Sequence, residues 1–352
     1  MSLTDKDYVL SLAKIDPELK VILDQQTLPP PAYDNLELYK KLSLRRNEET
    51  VKADGPPPPE VVESEFHYPT RDGATVRGKL YRPSQPPKNG SPLIVLFHGG
   101  GFCIGIPESE AQSCRNFVQA YGAVCLSAAY RLAPEFPFPC GVLDAWDALK
   151  WAADNCNELG ADPSLGFVVG GTSAGANMSA VLAHLARDEG ISHPLTGQYL
   201  AIPPVLPPTV VPDEFKELYL SYEQNRHAPV LPVVASEMFL SGYHPDDTDS
   251  RLWAIFNHPK GHQNLPPAVF HIDGLDPLRD EGLIYERVLR ERCNIKTKLY
   301  IYPGVPHGHW AFFPSLKAST QFRKDQVEGM GWLLGKDSDL SDLSFEAKAT
   351  SA

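Results

Sequence analysis

Two glycine-rich phrases carry the residue types that acyl transfer needs. His98-Gly99-Gly100-Gly101-Phe102 follows the apolar run Leu93-Ile94-Val95-Leu96-Phe97, and Gly171-Thr172-Ser173-Ala174-Gly175 follows Leu165-Gly166-Phe167-Val168-Val169. The second phrase fits G-x-S-x-G. A serine hydroxyl is a weak nucleophile and must be exposed, aimed and deprotonated as it attacks. A sharp strand-to-helix turn provides the exposure, and Gly171 and Gly175 remove the Cβ atoms that would clash there. Ala174 opens the following helix, so its N–H lacks an intrahelical partner and can bind an anion. The first phrase supplies further N–H groups, with Gly100 and Gly101 as candidate donors to the oxyanion beside Ala174. Losing one such donor typically costs about 3 kcal/mol of transition-state stabilisation. Either phrase alone is no more than a glycine-rich turn. Both together, each after a strand-like run, point to acyl transfer.

A general base and an acid to orient it should follow the serine, the acid first. The stretch Lys298-Leu299-Tyr300-Ile301-Tyr302 reads as a strand and Pro303 to Pro306 as a loop, so His307 stands where a base is expected. His309 is its rival, and His184 lies within the helix after Ser173. The strand-like Pro267 to Ile272 is followed by Asp273, Asp276, Asp280 and Glu281. Asp276 precedes Pro277, which also suits a helix N-cap. Residue chemistry alone leaves Asp273 and Asp276 even. With these roles, His307 would take the Ser173 proton during attack on a carbonyl, the carboxylate would steady the imidazolium, and water would release the acyl group.

Four phrases together resemble the hormone-sensitive lipase family of α/β-hydrolases, which includes the family IV carboxylesterases. They are His98 to Phe102, Tyr130-Arg131-Leu132-Ala133-Pro134-Glu135, Gly171 to Gly175, and Asp276-Pro277-Leu278-Arg279-Asp280-Glu281-Gly282. The resemblance spans residues 60 to 335. It implies that Asp276 is the triad acid and His307 the base, although His309 stands where the family carries phenylalanine. Thr172 places the chain in the G-T-S-A-G branch. By the same resemblance His98 holds the glycine loop, Tyr130 to Glu135 braces the site, and a cap covers it. Phe102 and Cys103, beside the glycine loop, are candidate pocket-wall residues.

The elements that must position these groups are legible as a pattern. Glu65 to Tyr68 and Thr75 to Arg82 alternate like an antiparallel pair. From residue 92 strands and helices alternate, the signature of a mostly parallel sheet, with strands centred on Val95, Cys125, Val168, Leu200, Phe270 and Tyr300. Joined to this pattern, the resemblance implies an α/β-hydrolase fold with helices on both faces of the sheet and a helical cap. Met1 to Leu23 has apolar residues at helical spacing (Tyr8, Val9, Leu12, Ile15) and reads as one amphipathic helix. A second helix is expected from Asn35 to Arg46, between Pro29-Pro30-Pro31 and Pro56-Pro57-Pro58-Pro59. The stretch after Leu200 is too long for an ordinary connection. The expected domains are 1–57 as the N-terminal part of the cap, 58–205 with 251–338 as the catalytic domain, 206–250 as a cap insertion, and 339–352 as a flexible tail.

Composition narrows the function classes. The chain has 352 residues and a formal charge of −12, from 32 basic and 44 acidic side chains. That balance argues against nucleic acid and anionic membrane as partners. No apolar run is long enough to span a bilayer, and the N-terminus lacks a signal-peptide core. The cysteines form no C-x-x-C pair, so no metal is expected. Several lie in apolar runs and read as reduced core residues, so a cytoplasmic location is expected, and the leading reading needs no cofactor. A homodimer is compatible with the sequence. The leading expectation is a carboxylesterase for small, fairly apolar, short-acyl esters. The alternatives are a specific acetyl-ester or amide hydrolase of secondary metabolism, and a small-molecule receptor. Plant gibberellin receptors resemble the family but lack its histidine, so His307 argues for turnover.

Overall fold

The computed structural model describes residues 5–25, 32–245, 250–337, 340–341 and 343–345. Eight strands form one sheet: β1 (Val61–Pro69), β2 (Thr75–Pro83), β3 (Leu93–Phe97), β4 (Val124–Ala128), β5 (Phe167–Thr172), β6 (Gly197–Ala201), β7 (Ala268–Asp273) and β8 (Thr297–Tyr302). Their spatial order is β1-β2-β4-β3-β5-β6-β7-β8. Only β2 runs antiparallel to its neighbours, and β4 through β8 pair in parallel. Strands β3, β4, β6 and β7 are buried along their whole length. A parallel sheet covered on both faces favours apolar residues at most positions, and these strands are mainly apolar, with Ser127, Gln198, His271 and Asp273 as buried polar exceptions. The edge strand β1 shows buried and exposed positions instead.

One face is covered by the helices Cys140–Asp154, Ala174–Glu189 and Arg279–Arg287, the other by Ala111–Tyr121 and Lys317–Leu334. No helix among the described residues is long and apolar enough to cross a membrane.

Outside the sheet the structure corrects two readings. The N-terminal helix is two helices, Lys6–Ser11 and Pro17–Gln25. Asp16 causes the break: its carboxylate accepts the Glu18 and Leu19 N–H groups at 2.8 and 3.1 Å, capping a helix that starts at Pro17. The next helix runs from Leu36 to Asp54, eight residues beyond Arg46. Pro29 to Pro31 lie outside the described residues, as does most of the expected tail.

The long stretch after β6 holds 3-10 turns at Pro208–Val210 and Asp213–Leu218, a short helix Ser221–Gln224 and a helix Val233–Tyr243. The last of these packs on Leu36–Asp54, with the Tyr39 and Phe239 rings edge-on at 5.5 Å. Residues 246–249 lie outside the described residues.

Candidate active site

Strand β5 ends at Thr172 and the helix Ala174–Glu189 begins one residue later, so Ser173 alone makes the turn. Its φ of 53° and ψ of −116° are unfavourable for a residue with a Cβ. Its N–H is held by the Ala201 carbonyl at 2.8 Å. The flanking glycines are sterically required. A Cβ on Gly171 would lie 2.3 Å from the Phe97 carbonyl oxygen, and one on Gly175 only 1.9 Å from the same atom. The elbow and the end of β3 are therefore in direct backbone contact, and the glycine loop that continues from β3 lies beside Ser173.

In that loop Gly100 and Gly101 have φ of 123° and 55°. Among the described residues nothing accepts the N–H groups of Gly100, Gly101 or Ala174. His98 stacks on Tyr130 at 4.4 Å, and the Tyr130 hydroxyl donates to the His98 carbonyl at 2.8 Å. Burial pushes the His98 pKa down to about 4, so its ring stays neutral. Its Nδ1 lies 2.8 Å from the Gly99 carbonyl, which fits a residue that shapes the loop.

The structure brings His307 and Asp276 to Ser173. His307 Nε2 is 2.9 Å from Ser173 Oγ, and His307 Nδ1 is 2.7 Å from Asp276 Oδ2. Ser173 and His307 are 9% and 8% exposed, whereas Asp276 is 1% exposed, so the carboxylate sits behind the imidazole and the serine faces outward. Asp276 also caps its own turn, because Oδ1 accepts the Leu278 N–H at 2.9 Å. One carboxylate thus both contacts the His307 ring and caps the turn. Asp273 and His309 stand apart from Ser173 and face each other, with 3.0 Å between Oδ1 and Nδ1.

The two acids and the two histidines sit on adjoining loops because β7 and β8 pair up to Asp273 and Tyr302. The pairing then continues past the sheet: Gly274 N–H donates to Tyr302 O at 2.8 Å and Leu275 N–H to Val305 O at 3.0 Å.

Among the supporting residues, Glu110 and Asn177 carry no sequence signal of their own. Glu110, fully buried, hydrogen-bonds Thr172 and Ser113, and burial raises its pKa to about 7. Asn177 on the elbow helix donates to Pro204 O at 2.6 Å and Trp253 O at 3.0 Å, joining the two ends of the insertion. Asp280 accepts the N–H groups of Leu220 and Ser221, and Glu281 accepts the Leu206 N–H and the Tyr219 hydroxyl. The Asp-Glu pair of the fourth phrase thereby ties the insertion to the sheet.

The brace phrase acts through Arg131, which binds Asp144 with two nitrogens at 2.8 and 2.7 Å and also reaches Asp72. Phe102 is 3% exposed and stacks on Tyr243 at 4.0 Å. Cys103 lines a cavity of about 260 Å³ with Ile104, Gly105, Leu132, Lys40 and Glu135. Of the two candidate wall residues, only Cys103 borders this cavity.

A family model described as the α/β hydrolase fold matches residues 94–311. The chain belongs to the α/β-hydrolase family. This hydrolase is 34% identical to the carboxylesterase NlhH of Mycobacterium tuberculosis over 316 residues, 87% of this chain and 92% of that one. Among solved structures, an esterase from Pyrobaculum calidifontis superposes with a TM-score of 0.76 at 31% identity, covering 91% of this chain and 99% of that one. Vibralactone cyclase superposes with a TM-score of 0.85 at 32% identity, covering 92% and 96%. With carboxylesterases across nearly its full length as relatives, the protein is a carboxylic ester hydrolase of the hormone-sensitive-lipase type.

Proposed function

We propose that the protein is a serine carboxylesterase for small, fairly apolar esters, working through Ser173, His307 and Asp276. The observation that carries this reading is the unbroken relay of 2.9 and 2.7 Å from Ser173 through His307 to a buried carboxylate. His307 Nε2 takes the hydroxyl proton as Ser173 Oγ attacks the ester carbonyl. The resulting oxyanion meets the N–H groups of Gly100, Gly101 and Ala174. His307 gives its proton to the leaving alkoxide, which departs as the alcohol. Water, deprotonated by His307, then attacks the acyl-enzyme and frees the acid.

Residues 1–57 and 206–250 act in this reading as a cap that limits ester size. The support is the helix Val233–Tyr243 over the glycine loop, where a Cβ on Gly101 would lie 2.4 Å from the Phe239 ring.

A fluorophosphonate probe should label the wild type and not Ser173→Ala. A series of p-nitrophenyl esters should favour short acyl chains. Folded protein that is not labelled would instead indicate a receptor, and a preference for long emulsified lipids would overturn the size limit.

The likeness to vibralactone cyclase favours a second reading, in which a hydroxyl on the acyl group displaces Ser173 in place of water and closes a lactone. Mass spectrometry of products from a hydroxy-acyl ester separates the two, since the lactone is lighter than the acid by one water.

A further inference from the structure

The loop that carries His307 holds a second acid–histidine pair, which the proposed mechanism does not use. Asp273 is the last residue of β7 and is 0% exposed; His309 is also 0% exposed. One Asp273 oxygen, Oδ2, accepts the Gly308 N–H at 3.0 Å, and the other, Oδ1, lies 3.0 Å from His309 Nδ1, off the line of a full hydrogen bond. The carboxylate therefore grips the two residues that follow His307. Gly308 has φ of 67°, a conformation open to glycine, and it reverses the chain between the two histidines.

Asp276 holds the His307 ring from one side, while Asp273 holds the His307 backbone from the other. Both acids leave the same strand end.

The surroundings leave Asp273 little else to do. The His309 ring packs against Tyr302, Trp310 and Phe322, at 5.2, 5.4 and 5.8 Å. Tyr302 in turn engages His271 and Asp325, at 2.8 and 3.0 Å. This wall fixes His309, and His309 faces the outer oxygen of Asp273. A buried carboxylate with one oxygen on a backbone N–H and the other opposite a fixed imidazole cannot swing without losing both contacts.

We infer that Asp273 is a positioning residue for the ester-cleaving reaction, locking the Gly308 peptide so that His307 Nε2 points at Ser173, with His309 as its counter-support. This inference rests on reading Ser173, His307 and Asp276 as the catalytic groups. It also gives a role to the histidine that replaces the family phenylalanine. His309 acts as a partner for a second buried acid and not as a rival base.

The test uses the full-length chain and p-nitrophenyl butyrate. Asp273→Ala removes the acceptor for Gly308, and an imidazole displaced by about 1 Å loses about 100-fold in kcat. KM should stay within about twofold, because the ester-binding groups are untouched. Asp273→Asn keeps an oxygen for the Gly308 N–H and should recover about tenfold of that loss. His309→Phe should lower kcat by about tenfold, and the double variant Asp273→Asn/His309→Phe should lose less than the product of the single losses, because the two act as one unit.

Folding is followed separately by thermal melting. A folded Asp273→Ala with kcat within about threefold of wild type would overturn the inference, even if its melting temperature fell. If that variant does not fold, unchanged kcat in both Asp273→Asn and His309→Phe would overturn it equally. Retained turnover in Ser173→Ala would instead sink the catalytic reading beneath it.

Discussion

Replacing Gly175 by alanine tests how the elbow and the proposed oxyanion loop depend on one another. The new Cβ would lie 1.9 Å from the Phe97 carbonyl oxygen, 2.5 Å from its carbon and 2.8 Å from the His98 carbonyl oxygen. Ordinary contact begins at 3.4 Å, so the end of β3 must retreat by about 1.5 Å (3.4 less 1.9). Backbone in the middle of a sheet cannot do this cheaply. Overpacking of this kind costs about 3 kcal/mol, and alanine's better helix propensity returns about 1 kcal/mol, leaving a net loss of about 2 kcal/mol.

The larger effect is on rate. Phe97 and His98 lead directly into Gly100 and Gly101, and moving these donors by about 1 Å relative to Ser173 costs about 100-fold in kcat. Gly190→Ala is the control: it sits at positive φ, 80°, where alanine is strained, but no atom lies within 4 Å of its Cβ site. It should cost about 2 kcal/mol of backbone strain and no activity. Urea melts give the stability and initial rates on p-nitrophenyl butyrate give kcat. If Gly175→Ala folds and keeps kcat within about threefold of wild type, the close approach does not set the oxyanion geometry.

Further outcomes follow from the same structure. Asp276→Asn should lower kcat by about 10,000-fold with KM little changed, because the amide leaves His307 in the wrong tautomer; steady-state kinetics at pH 8 checks this. Glu110 is held neutral in the folded protein up to about pH 7, while its unfolded form ionises near the usual value of 4.5. The unfolded chain therefore binds fewer protons between these limits, so this group's contribution to stability is full below pH 4.5 and falls as pH rises to 7, by about 3 kcal/mol. Glu110→Gln should flatten that part of the profile, read by urea melts from pH 4.5 to 8. Arg131→Met strands the Asp144 carboxylate, 1% exposed, and should cost about 3 kcal/mol in the same assay.

The sheet was legible because its central strands are buried on both faces, so β3, β4 and β5 stand out as mainly apolar runs. The glycines were legible for a related reason: at Gly171 and Gly175 no side chain fits, and the chain has no alternative residue to offer. Helix limits were less legible. Arg45 to Asp54 continues a helix with almost no apolar residue, so hydrophobic periodicity is silent there. The break at Asp16-Pro17 was written in capping chemistry, which the apolar spacing of Tyr8, Val9, Leu12 and Ile15 overrode.

The choice between Asp273 and Asp276 could not be made from residue types, since both are acids at the end of one strand. In space the two differ in the histidine each one faces, Asp276 facing His307 and Asp273 facing His309. Glu110 against Thr172 and Asn177 across the ends of the insertion are contacts between distant segments. No local pattern encodes them.

The N-terminal segment is bound up with the same loops. Gly304, in the loop before His307, donates its N–H to Leu12 O at 2.7 Å and accepts the Asp16 N–H at 3.0 Å. A Cβ on Gly274, in the loop before Asp276, would lie 2.2 Å from the same Leu12 oxygen. Residues 12–16 therefore lie directly on the backbone of both loops that leave β7 and β8. A segment proposed to cap the ester site is also a buttress for its base and acid. Movement of that cap and the alignment of His307 are not independent coordinates. A change that admits a larger ester by loosening the N-terminal helices acts on the relay as well, through Gly304. In that proposal, size selection and rate are coupled by two backbone hydrogen bonds.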